Sequence, residues 1–137
     1  MKRVLGALAL VLLLAVPVIA GEPVTQTFSA PPEKVWSVTQ SVLKQMGWDI
    51  EKSDQAGLWI NTESRSVNGE DYGVYAKGAR HRLAIRLKAA GTNRTAVTVE
   101  RTLFNRERIL WIDKDEVLST TDQSVEKNVL AAIGSAL

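Results

Sequence analysis

His81 is the only histidine in the sequence and thus the only side chain whose unperturbed pKa lies near neutrality. It sits between Arg80 and Arg82, with no second histidine and no cysteine in the chain to share a metal ion. A Ser–His–acid relay would have to use it, yet no Gly-x-Ser-x-Gly elbow presents a nucleophile. The reading is a solvated residue on a strand edge. The densest acidic run, Asp113-Lys114-Asp115-Glu116, lacks the loop pattern that brings six to eight oxygens to calcium and reads as a polar turn before a last helix. The spacing of Gly69, Gly73 and Gly78 fits neither a P-loop nor a dinucleotide fingerprint. These residues predict no catalytic group, no metal ligand and no cofactor site, and an enzyme is not expected.

Binding chemistry has more to work with. Lys77, Arg80, Arg82, Arg86 and Lys88 form a basic strip that suits anionic lipid headgroups or an acidic partner, although Glu100 and its neighbours could neutralise it. Four tryptophans stand at 36, 48, 59 and 111. Trp36 and Trp48 read as core. Trp59 falls opposite the Leu58/Ile60 face, where an exposed indole would be an interface anchor. The candidate partner-binding surface is therefore Trp59, Arg80, Arg82, Arg86 and Lys88.

The amino terminus bounds where such a surface works. Lys2 and Arg3 precede an uncharged run from Val4 to Val18, followed by Val18-Ile19-Ala20, the three-part pattern of a secretory signal peptide cleaved near Ala20/Gly21. The run is about 15 residues, short of the roughly 20 that span a bilayer as a helix. The expected organisation is a signal peptide over 1–20 and a single domain over 21–137, with no transmembrane segment in the mature chain. The expected location is periplasmic or secreted. The formal net charge of +2 comes from Lys2 and Arg3, so the mature chain is neutral and nucleic acid is not an expected partner. With no cysteine, disulfides, thiol chemistry and the lipid-bearing residue of a bacterial lipoprotein are all excluded.

Period and turn chemistry supply the elements that position these residues. Val24 to Phe28 read as a short strand. Pro31-Pro32-Glu33 open a helix to about Met46, with Val35, Trp36, Thr39, Val42, Leu43 and Met46 on one stripe. Gly47 suits the left-handed residue that ends it, letting Trp48 fold back. A strand from Trp48, a turn at Ser53 to Gly57 and a strand from Leu58 to Thr62 follow. Glu63 to Gly78 reads as a flexible loop or irregular hairpin. Leu83, Ile85 and Leu87 alternate with Arg82, Arg86 and Lys88, and after the turn at Ala90 to Asn93, Val97, Val99 and Leu103 alternate with Thr98, Glu100 and Thr102. Ile109 to Ile112 is a further short apolar run, a last strand or an extended lead-in. A closing helix from Thr121 is predicted, with Thr120 and Gln123 at capping-box spacing and Val125, Val129, Leu130, Ile133 and Leu137 on its stripe. Both stripes need the one apolar sheet face, which predicts a two-layer α+β domain: an antiparallel sheet with two helices packed on one face, helix-grip-like.

The segment Phe28 to Trp36, with Leu43, Gly47-Trp48-Asp49-Ile50-Glu51 and Asp54 to Leu58, resembles the helix-grip domains of BamC-type proteins. Those are envelope lipoproteins associated with the machinery that inserts outer-membrane barrels. The resemblance covers about 35 residues closely, the remainder in element order only, and this chain lacks their lipid-bearing cysteine. It implies a non-enzymatic binding or assembly module of the bacterial cell envelope, with envelope proteins or lipid headgroups as partners. The same opening also resembles START-like domains, which would imply a carrier of a lipid or small hydrophobic ligand.

Overall fold

Residues 22–137 are described by the computed structural model; the expected signal peptide and its cleavage point lie outside them. The chain order is β1 (Val24–Phe28), α1 (Pro32–Gln45), β2 (Ile50–Asp54), β3 (Trp59–Thr62), β4 (Arg65–Ser66), β5 (Glu70–Asp71), β6 (Ala76–Ala89), β7 (Thr95–Ile109), β8 (Ile112–Leu118) and α2 (Ser124–Ala136). All strand pairs are antiparallel, so the class is α+β.

The frame is a long hairpin of β6 and β7, with 14 and 15 residues. Alternation of apolar and charged residues along both strands gives it two unlike faces. His81, Leu83, Ile85 and Leu87 share one face with Val97, Val99 and Arg101. Both helices bury their stripes there: Val35, Trp36, Val42 and Leu43 from α1 join Val129, Leu130 and Ile133 from α2 in one core cluster. Burying each large apolar side chain contributes roughly 1.5–3 kcal/mol, which makes this layer contact the main stabilising interaction.

Local chemistry explains the boundaries of α1. Pro31 caps it in extended conformation, its carbonyl accepting from the amides of Lys34 and Val35, and Pro32 takes the first turn, where a missing N–H has no cost. Gly47 adopts φ +83°. Its amide donates to the Lys44 carbonyl and that of Trp48 to the Leu43 carbonyl, a Schellman ending. Trp48 is thereby turned back into the core.

One pair of alternatives resolves and three expectations are corrected. Glu63 to Gly78 is the irregular hairpin rather than the flexible loop: β4 and β5 pair with the first half of β6, which begins at Ala76 rather than near Arg82. Backbone contact explains Gly69 and Gly78, since a Cβ at Gly69 would lie 2.2 Å from the Lys77 carbonyl oxygen and one at Gly78 2.2 Å from that of Asn68. Ile109 to Ile112 is a reversal, with Leu110 and Trp111 as a two-residue turn between paired Ile109 and Ile112. Asp113 to Glu116 consequently belong to an edge strand and not to a polar turn. Finally, α2 begins at Ser124 without a side-chain cap. Asp122 instead accepts the Ser124 amide, and Thr120 accepts that of Asp122.

β1 and β8 both border β7, β1 along Thr95–Val99 and β8 along Leu103–Ile109. β3 borders the helix-covered half of β6, while β4 and β5 border the remainder. The sheet thus has a proximal half under the helices and a distal arm beyond them. Among the described residues no helix is long and apolar enough to cross a membrane.

Candidate partner-binding face

The residues singled out for binding converge. Arg80, Arg82, Arg86 and Lys88 occupy alternate positions on β6, so all four lie on the face turned away from the helices. Trp59 is the cross-strand partner of Arg86 and shares that face. Arg82, Arg86 and Lys88 are exposed, whereas Trp59 and Arg80 are half-buried. Arg80 is engaged internally, its Nη2 donating to the Ser64 carbonyl at 2.9 Å and its Nε to Ser64 Oγ at 3.0 Å.

The same face contains a residue the pattern did not flag. Phe104 on β7 is buried there, with the guanidinium carbons of Arg82 and Arg106 5.2 and 5.3 Å from its ring centroid. Two cations over one ring replace a covering layer. Arg106 grips Asp115 through two bonds of 2.9 and 3.0 Å. That pairing holds the Asp115 carboxyl below its ordinary range and raises the Arg106 guanidinium. Arg108 bonds Asp113, Asp71 and the Gly73 carbonyl. The expected pairing of Glu100 with the arginines is not among the ion pairs of the described residues; the acidic partners come from β8 and Asp71. Arg82, Arg86 and Lys88 form no ion pair among the described residues. Beside them an open polar depression of about 310 Å³ is lined by Glu51, Asn61, Arg82 and Thr102.

His81 is elsewhere, and its expected position is wrong. It lies on the core face with 7% of its surface exposed. Its ring packs 4.8 Å from that of Trp48. Arg65 Nε is 3.4 Å from His81 Nε2 and Arg101 Nη1 is 3.3 Å from Nδ1. A neutral imidazole accepts at one nitrogen only, so these two guanidinium groups cannot both donate to it. Arg65 also donates to the Met46 carbonyl at 2.8 Å and covers Trp48 at 3.7 Å. Arg101 continues the network to Glu126 Oε1 at 3.2 Å and to the Asp122 carbonyl. The network fastens the carboxyl end of α1, the sheet and the start of α2 together.

Burial, followed by the charges of Arg101, Arg65 and Arg80, lowers the His81 pKa to about 4. In the unfolded chain the ring titrates near 6.5. Between these values acid protonates the unfolded chain and not the folded one. Stability is therefore expected to fall as pH drops from about 6.5 to about 4 and to level off below, by at most about 3 kcal/mol. Thermal melts across pH 4–7 should show a shallower slope for His81→Gln; identical slopes would remove His81 as the cause.

Among the described residues no group of acidic or histidine side chains is arranged to hold a metal ion. The acidic run shows why, since Asp113 and Asp115 face the arginines of β7 while Lys114 and Glu116 alternate to the other side. No protein-family model matches the chain, and no curated protein matches it either.

Proposed function

We propose that this chain is an exported, non-enzymatic binding or assembly module of the bacterial cell envelope, of the helix-grip kind found in BamC-type proteins. The observation that carries this reading is the helix-free face. Strand register alone sets Trp59, Arg82, Arg86 and Lys88 on one sheet face, with Arg82 at the edge of a polar depression. Such a surface matches an acidic protein partner, with the cations supplying steering and the half-buried indole supplying contact area.

The filled interior favours docking over the START-like carriage of a ligand. Trp36, Leu43, Trp48, Ile60, Ile85 and Val99, all 4% exposed or less, occupy the space between helices and sheet. A carrier would need that space for its cargo.

The test is photocrosslinking in the intact envelope, with the photoreactive residue at Lys88 or at Trp59. Both positions should capture the same envelope protein, and Arg82→Glu with Arg86→Glu should abolish the capture. Unrelated products from the two positions, or capture indifferent to the charge reversal, would refute the reading.

A further inference from the structure

The distal end of the sheet is built unlike an ordinary set of loops. Two connections meet there: Tyr72 to Tyr75, between β5 and β6, and Leu110-Trp111, between β7 and β8. The Trp111 amide donates to the Val74 carbonyl at 3.3 Å, joining them into one edge. Turn positions ordinarily go to Gly, Asn, Asp and Ser. Here they carry large apolar side chains. Trp111 is 74% exposed, Ile112 73% and Tyr72 71%, and Leu110, Ile109 and Tyr75 are more than half exposed.

The backbone makes this more telling. Leu110 and Trp111 stand at φ 51° and 65°, a two-residue turn with both residues left-handed, for which Asn-Gly is the favoured chemistry. Bulky residues there are strained. A leucine and a tryptophan stand at the tip of the arm, where packing among the described residues leaves more than half of each exposed.

We infer that this edge is a shallow bilayer-docking site: Leu110 and Trp111, flanked by Ile109, Ile112, Tyr72 and Tyr75, enter the headgroup–acyl boundary of a zwitterionic membrane. Three observations select that occupant. The apolar side chains stand on two loops at the free end of the sheet, around an open depression lined in part by Tyr72, Tyr75 and Ile109, an irregular edge suited to a soft, non-directional medium. It combines aliphatic side chains with tryptophan and tyrosine, whose amphipathic rings favour the membrane interface. The charges directly behind it leave no cationic excess: Arg108 is bound by both Asp113 and Asp71, Glu107 lies opposite Lys114, and Glu70 opposite Lys77. Such a collar offers anionic headgroups no attraction and suits a zwitterionic surface. It also limits depth, since the charged row of Arg108 and Asp113 begins two residues behind the turn, at about 3.4 Å per residue.

This site is separate from the outer sheet face and does not depend on its reading. The test is flotation of protein made from the full sequence with vesicles of phosphatidylcholine and phosphatidylethanolamine, read together with tryptophan emission. The wild-type protein should float, its emission should shift to the blue, and lipids brominated near the headgroup should quench it. Leu110→Asp and Trp111→Asp should each weaken partitioning at least tenfold, on the scale of one large side chain withdrawn from an apolar phase. The double change Leu110→Asn with Trp111→Gly suits the turn, so it should lose binding while keeping its fold and melting no lower than the wild type. Every variant carries the same amino-terminal segment, which makes that segment a constant contribution. Equal flotation of wild type and turn variants would overturn the inference. So would binding restricted to anionic vesicles and lost in Arg82→Glu/Arg86→Glu, or a wild-type protein that stays off vesicles while a crosslinker at Leu110 captures a protein.

Discussion

Replacing Arg101 with leucine is expected to cost about 3–5 kcal/mol, a large part of the roughly 5–15 kcal/mol that holds a small domain folded. Arg101 is 4% exposed and Glu126 fully buried. Their 3.2 Å contact is the link between α2 and the middle of β7. Oε1 of Glu126 receives that bond, while its Oε2 has no hydrogen-bond partner in the structure. Without the guanidinium, the carboxylate would be left buried without its cation, and the Asp122 carbonyl would lose its donor too. Chemical denaturation of Arg101→Leu measures the cost. The double variant Arg101→Leu/Glu126→Leu should recover most of it, because well-packed apolar residues often match or exceed a buried ion pair. A double variant as unstable as the single one would mean that Arg101 acts by shape rather than by charge.

Ile85→Asp is expected to abolish cooperative folding. Ile85 is fully buried, paired across the sheet with Ile60 on one side and Val99 on the other. The substitution removes an aliphatic side chain worth about 2–5 kcal/mol in a packed core and leaves a carboxylate without a cation. Val42→Asp on α1 strikes the same cluster from the helix layer and should behave alike. The adjoining residue is the control: Arg86→Asp changes charge on the outer face and should leave a sharp thermal transition. Circular dichroism melts of the three variants decide the matter. A soluble Ile85→Asp protein that melts cooperatively would show that the faces of β6 have been assigned the wrong way round.

Helix α1 was readable because several independent signals agreed. Its apolar stripe, the prolines at its start, Gly47 and the returning Trp48 are all local features. The outer face was readable from parity, since Arg80, Arg82, Arg86 and Lys88 differ by even steps. The same parity places His81 with Leu83 and Ile85, and Arg101 with Val97 and Val99, on the core side. The polarity of His81 and its two arginine neighbours points to solvent and outweighs that alternation. What made burial tolerable was invisible locally: Arg65 and Arg101 reach His81 from 16 and 20 residues away, and Glu126 lies 25 residues beyond Arg101.

The distal arm held a signal that periodicity could not register. Arg106-Glu107-Arg108-Ile109 faces Ile112-Asp113-Lys114-Asp115 in mirror order about Leu110-Trp111. Each charge meets its opposite across the strands, which marks a hairpin even without the customary Asn-Gly. Because the turn residues are apolar, the run reads as a last strand or an extended lead-in. Trp59 drew attention as the exposed indole, yet it is half-buried, and Trp111 is the one at the surface.

Strands β6 and β7 run unbroken from the helix-covered half into the arm, joined in one continuous register from Ala76↔Arg108 to Ala89↔Thr95. Side chains along a strand alternate with period two, so a slip of one residue would exchange the two faces along its whole length. Leu83, Ile85 and Leu87 would leave the core, and Arg82 and Arg86 would enter it. The apolar interior therefore proof-reads a surface it never touches. The penalty for misburied arginines at one end of the sheet is what seats Arg106 and Arg108 against their aspartates, and fixes the angle of the tryptophan turn, at the other.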